Sequence, residues 1–394
     1  MRWSSVAAGA CSLALAATLI AAPAYAGGPP MREPDVLADG LVGPLSLAVG
    51  RSGKVIVNQS FAGTLSQVDR RGEVSALYQV PDPENGGIAG ASSHHGAIYY
   101  LETSAGETGP VSHVVRLDRD GERTVVSDDF WAHETENNPD AGQTYGFRGL
   151  DDECAEDVAA FEDEVENRAG MPLPLNEYPG IVESNAYQLT VHHGTIYVAD
   201  AAANAILAVD EDTGEISTVA VLPASAITFS AEAQAYVEEM VGGLEMPDCV
   251  IGESYTPEPV PTDVEVGAKG RLFVSTLQGS AGEAFPLSKI YRINPYSGRT
   301  RLVADRGMQG VTGLAVSPSG HIVVAEMFDG AVSVIKPGSS RARTVFETES
   351  PADVELSGSR IYATTGVMGE DGAPGNGAVV TYKYRFGHGH GHGH

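Results

Sequence analysis

The residues of this chain best suited to chemistry are oxygen donors that recur at one place in a repeated pattern. Gln59, Glu102, Asp200, Thr276, Glu326 and Thr365 each close a short apolar run and precede a loop. Asp263 and Asp353, with Asn185, Tyr187 and Gln188, stand where another set of apolar runs begins. Carboxylates and amides without interleaved Cys or His suit a hard cation, and Ca²⁺ is the natural guest. If these groups converge, they would hold such a cation and allow metal-assisted chemistry. The alternative is structural: Asp200 and Glu326 accept hydrogen bonds from loop backbone and hold the fold together, a role equally open to Asp263 and Asp353.

Nucleophilic catalysis has less support. His94, His95, His192 and His193 fall in tight turns at the far end of the apolar runs from the oxygen donors, and His321 starts a run from that same end. His113 and His133 can approach the donors, but neither has a visible nucleophile beside it. No Gly-x-Ser-x-Gly elbow or zinc-protease helix is present, although a Ser/His/Asp triad needs no adjacency in sequence. At the C-terminus, residues 387–394 alternate glycine and histidine. His388, His390, His392 and His394 would point one way in an extended chain and bind Zn²⁺, Ni²⁺ or Cu²⁺ weakly; an engineered tag is the other reading.

The elements that must position these groups are internal repeats. LTVHHGTIYVADAAANAILAVDEDTGEISTVAV from Leu189 matches LAVSPSGHIVVAEMFDGAVSVIKPGSSRARTVF from Leu314: strand, glycine turn, strand, loop, strand, turn, strand. The same frame fits from Leu47, Ala91, Val264 and Val354, with first-turn glycines Gly53, Gly96, Gly194, Gly270, Gly320 and Gly358. The runs are short, β-branched or aromatic, and bounded by turn residues. A four-stranded unit of roughly 40 residues cannot bury both faces alone, but like units packed radially can. The sequence therefore predicts an all-β chain, a six-bladed β-propeller. The last unit lacks its outer strand, and DVLADGLVG (residues 35–43) resembles LVADRGMQG (302–310), so an N-terminal strand is expected to close the ring.

Long departures from the repeat fall in two loop classes on one face. Two insertions, about 129–185 and 224–261, join successive units; 103–112, 277–287 and 366–377 join second and third strands. Cys154, Val158, Phe161 and Val165 recur at helical spacing behind Asp151 or Asp152 as N-cap, and a second helix is expected between Ser230 and Gly242-Gly243. One cysteine lies in each insertion, so a Cys154–Cys249 disulfide would tie the two loops into one lid; free thiols or a two-cysteine metal site are the other options.

The ends and composition bound the rest. Arg2, an apolar run over 6–20 and Ala24-Tyr25-Ala26 read as an export signal, with 1–26 removed and 27–386 forming the propeller; a membrane anchor would need a longer run. The net charge of −28 across 394 residues excludes nucleic acid, which needs a basic footprint, and disfavours anionic membranes.

VESNAYQLTVHHGTIYVADAAANAILAVDEDTGEISTVAVLP (182–223), VPTDVEVGAKGRLFVSTLQG (260–279) and FPLSKIYRINPYSG (285–298) resemble the ScyD/ScyE family of exported proteins, and the repeats resemble NHL-type propeller repeats. The resemblance implies a secreted propeller and carries over no catalytic residue. Gluconolactonase-like six-bladed enzymes, which use a channel metal, supply the analogy for the enzyme reading. The leading expectation is a secreted binding or scaffold protein for a small molecule, glycan or extracellular protein; the alternative, implied by that analogy, is a Ca²⁺-assisted lyase or lactonase at the central-channel mouth.

Overall fold

The computed structural model describes residues 32–50, 53–170, 172–369 and 375–386. The export segment and the Gly-His tail lie outside them. Among the described residues the chain is all-β with few helices, in seven four-stranded antiparallel sheets. This is a β-propeller arrangement.

Five sheets each take four strands consecutive in the chain. Pro44–Val49, Val55–Gln59, Thr64–Val68 and Val74–Gln79 form the first, in that order. A further sheet uses Val354–Ser357, Arg360–Thr365 and Gly377–Lys383 and receives Asp35–Leu41 as its outermost strand, with Asp35 opposite Thr381 and Leu41 opposite Gly377. The expected pairing of the two chain ends is therefore present.

The first strands of these sheets are Pro44–Val49, Gly86–His94, Ala186–His192, Pro261–Val266, Val311–Val316 and Val354–Ser357. They touch one another in cyclic order, the last against the first. A separate apolar cluster fills each gap between neighbouring sheets. Ile56 and Leu65 meet Ile88 and Tyr100 in one gap, and Val332 and Phe346 meet Val354 and Ile361 in another. Inner strands are thus covered on both faces, which is why Ile322–Glu326 is buried at every residue while outer Val74–Gln79 is largely exposed. The six first-turn glycines all adopt positive φ, from 62° at Gly358 to 87° at Gly96, a conformation that costs other residues steric strain.

The insertions build the seventh sheet, in the order Tyr178–Pro179, Thr144–Arg148, Ser254–Thr256, Ile227–Thr228. The sequence reading placed helices here but no strands, because runs of two to five residues are too short to register an alternation. Both expected helices are present. Asp152–Ala169 starts at Asp151, whose carboxylate accepts from Cys154 N at 2.9 Å, and buries Cys154, Val158, Phe161 and Val165. Ala231–Met240 starts at Ser230, whose hydroxyl accepts from Ala233 N. Together with Phe147, Phe229, Met246 and Val250 they make a core separate from those of the other sheets, and the Cys154–Cys249 disulfide crosses it. An unforeseen helix, Phe130–Asn137, begins the first insertion. Residues 103–112, read as a loop, are instead the tip of a continuous hairpin between Ala97–Ala105 and Pro110–Leu117. Residues 370–374 of the 366–377 loop lie outside the described residues.

Replacing both cysteines by serine, which opens a loop closed across 95 residues, should lower stability by about 4–5 kcal/mol on the loop-entropy account, read from denaturant midpoints. Limited proteolysis should cut first within 129–185 or 224–261; an unchanged midpoint and cleavage pattern would mean the bond holds nothing in place.

Candidate functional site

Where the first strands approach the axis, their inner edges have no further strand to pair with, so backbone N–H groups there need other acceptors. A β-bulge marks this place in five of the six, between Pro44 and Ser46, Ala89 and Ser92, Ala186 and Gln188, Pro261 and Asp263, and Val311 and Gly313. Bulges re-aim backbone and side chain at sheet edges.

Three side chains then accept one amide from each of the six strands. Asp353 takes Val354 N at 2.7 Å and Leu47 N at 2.8 Å. Asp263 takes Val264 N at 2.7 Å and Leu314 N at 2.6 Å. Gln188 Oε1 takes Leu189 N at 3.1 Å and Ala91 N at 2.9 Å. Each acceptor serves its own strand and one neighbour. Gln188 Nε2 also donates to Asp353 Oδ2 at 3.0 Å, linking sheets that are not adjacent in the ring. The strands without an acceptor supply small residues instead. A Cβ at Gly90 would lie 3.0 Å from Gln188 Oε1, and one at Gly313 would lie 2.6 Å from Asp353 Cα.

This axial group is acidic. Asp263, Asp353 and Gln188 are buried, and two more carboxylates, Glu265 and Glu355, follow on the same strands. Burial raises all four. It brings Asp353 to about 7, against which its bonded amides work. Burial and then the charge of Asp353 bring Glu355 to about 8. Asp263 is pushed well up by burial and next by Asp353, and Glu265 by burial and next by Glu355. Burial followed by Asp353 and Asp263 likewise raises the Tyr187 phenol. Gln188 and Asp353 are thus in direct contact, and Tyr187 and Asp263 lie near enough for the charge of Asp353 to act on them. Glu265 and Glu355 were missed, although the tripeptide Asp-Val-Glu at 263–265 and again at 353–355 was a legible signal.

The other expected residues lie elsewhere. Asp200 and Glu326 cap the loop that enters their own sheet: Asn185 N donates to Asp200 at 2.7 Å and Gln309 N to Glu326 at 3.0 Å. Gln59 does the same for Val42 N at 2.9 Å. Asp200 also accepts from Ser184 Oγ at 2.7 Å, and burial raises Glu326 to about 7. Thr276 and Thr365 donate to the carbonyls of Lys289 and Glu349. Glu102 stands away from the axis, accepting from Tyr78 Oη at 2.9 Å and paired with Arg123. Among the described residues no group of three or more His, Cys, Asp and Glu is placed to hold a metal ion, and no helix is long and apolar enough to cross a membrane.

No protein-family model and no curated protein matches the chain. Solved structures do. The PQQ-bound aldose sugar dehydrogenase from Streptomyces coelicolor is 15% identical over 90% of this chain and 99% of that chain, with a TM-score of 0.52. An oxidoreductase (glucose dehydrogenase) from Thermus thermophilus is 15% identical over 89% and 99%, with a TM-score of 0.51. At such identities the likeness is one of fold.

Replacing Asp353 by Ala leaves the amides of Leu47 and Val354 unmet and should cost about 2–4 kcal/mol, against less than about 1 kcal/mol for the partly exposed Glu102 pair; similar costs would mean the axial bonds are unimportant. The raised carboxyls also fix a sign. Below pH about 4 they are protonated folded or unfolded, and between there and about 8 the folded chain retains protons that the unfolded chain has released. Stability from these groups therefore falls as pH rises through that window. Glu355→Gln should lose less Tm between pH 5 and pH 8 than wild type; equal losses would remove Glu355 from the account.

Proposed function

We propose that the chain is an exported six-bladed β-propeller of the ScyD/ScyE kind, and that it binds a small molecule, glycan or extracellular protein on its lidded face. Six sheets with cyclic contacts, one completed by the N-terminal strand, support the blade count, and the seventh sheet is then the lid. Residues 27–386 make one domain on this reading. A disulfide fits an oxidising compartment, and long loops on a rigid scaffold fit binding. The observation that carries the reading is that Gln188, Asp263 and Asp353, the acceptors best placed to hold a channel metal, are already taken by backbone amides. The Gly-His tail adds weak capture of Zn²⁺, Ni²⁺ or Cu²⁺.

A second reading, a Ca²⁺-assisted lactonase or lyase at the channel mouth, draws on Glu355. Held at about 8 beside Asp353 at about 7, it is poised for general acid–base work near neutrality. The two readings part in one experiment on the mature protein: a thermal-shift screen of glycans and metabolites with and without EDTA, run beside a lactone-turnover assay. Binding predicts a ligand that raises Tm with no turnover, whether or not EDTA is present. Turnover that EDTA abolishes and Glu355→Gln abolishes would overturn it in favour of the enzyme.

A further inference from the structure

Buried polar atoms without partners are rare in folded proteins, and each one asks for an explanation. Seven such side-chain atoms occur among the described residues, and five of them fall within 133–140: His133 Nε2, both carboxylate oxygens of Glu134, Asn138 Oδ1 and Asp140 Oδ1. Glu134 and Asp140 are each 1% exposed. Neither forms an ion pair with Lys, Arg or His. Burial, and after it the charges of Asp200, Asp140 and Glu183, all of Glu134's own sign, raise it to about 8. The Glu183 peptide N–H lies near enough to offset part of this but outside hydrogen-bond geometry.

Local structure explains why these oxygens share one place. Asn138 ends the Phe130–Asn137 helix in the left-handed conformation, its N–H bonded to Glu134 O at 2.7 Å. Residues 134 and 138 are thus one turn apart at a helix C-terminus, the negative end of the helix dipole. Asn138 Nδ2 donates to Gly180 O at 3.2 Å, and a Cβ on Gly180 would stand 2.1 Å from Asp140 Oδ1, so Asn138 and Asp140 both border Gly180. The other oxygen of Asp140 is fully engaged by Tyr145 Oη at 2.7 Å and Asn204 Nδ2 at 2.9 Å. That engagement fixes the carboxylate and leaves Oδ1 against Gly180 without a hydrogen-bond partner. Asn204 continues to Val260 N at 2.9 Å, joining this corner to the second insertion.

We propose that Glu134, Asp140 and Asn138 hold a Ca²⁺ ion at the base of the lid. Two carboxylates and an amide oxygen, completed by backbone carbonyl or water, are a donor set that Ca²⁺ accepts; the set has fewer than three acidic ligands, in keeping with the absence of any such trio among the described residues. The ion supplies the positive charge that no side chain provides and clamps the first insertion to the ring through Asp140 and Asn204. The site is separate from the axial residues of the enzyme reading.

The test uses the full mature chain, stripped with EDTA and passed over chelating resin. Calorimetry with Ca²⁺ alone should give one site per chain, and Tm should rise by about 4 °C at a hundredfold excess over Kd. Tb³⁺ should give luminescence sensitised by Tyr145 or Trp131 and quenched by competing Ca²⁺. Glu134→Gln should weaken binding at least tenfold, whereas Glu355→Gln should leave it unchanged. Should Glu134→Gln fail to fold, Asp140→Asn replaces it with the same expectation. No Ca²⁺-dependent shift and no Tb³⁺ signal in wild type, or Ca²⁺ affinity unchanged in the variant, overturns the site. Loss of binding in Glu355→Gln alone moves the ion to the axis and also overturns it.

Discussion

The six first strands, in contact in cyclic order, present inner edges that pair with no further strand, and the amides there must find other acceptors. Asp353, Asp263 and Gln188 meet that need two amides at a time, each across one gap between neighbours. The Gln188–Asp353 bond then links non-neighbours. Apolar clusters hold adjacent sheets together pairwise; the axial bonds join the first strands in three pairs, two of which are linked through Gln188 and Asp353. They also impose composition, since Gly90 and Gly313 must stay small for the acceptors to reach.

This arrangement gathers negative charge where water is scarce. Two acceptors are acidic, and the period of two along a strand brings Glu265 and Glu355 close behind them. Protons retained near neutrality relieve the repulsion. The lid solves a different problem. Its strands and helices bury one another rather than a neighbouring sheet, so it has a core of its own and a disulfide across it. Its base is where that independent core meets the ring, and there the carboxylates of Glu134 and Asp140 are buried without basic partners.

Much of the frame was legible because each repeat states its own local physics. The first-turn glycines, the helix faced by Cys154, Val158, Phe161 and Val165, and the caps at Asp151 and Ser230 all rest on contacts within a few residues. The site was legible in part. Asp263, Asp353 and Gln188 were found because the repeat frame places them at strand starts. Glu102 was grouped with Asp200 and Glu326 by the same frame, yet it turns to Tyr78 and Arg123, because a frame gives position along a strand and not which neighbour a side chain meets.

By itself the sequence determined the strands of the repeats, their turns, the pairing of the two chain ends and two of the insertion helices, since hydrophobic period, glycine and capping act locally. Only the tertiary structure decided that three side chains share six amides, that the insertions pair into a seventh sheet, and that Glu134 and Asp140 are buried beside like charges. Those outcomes depend on which distant segments become neighbours, and burial and electrostatic coupling exist only once they do.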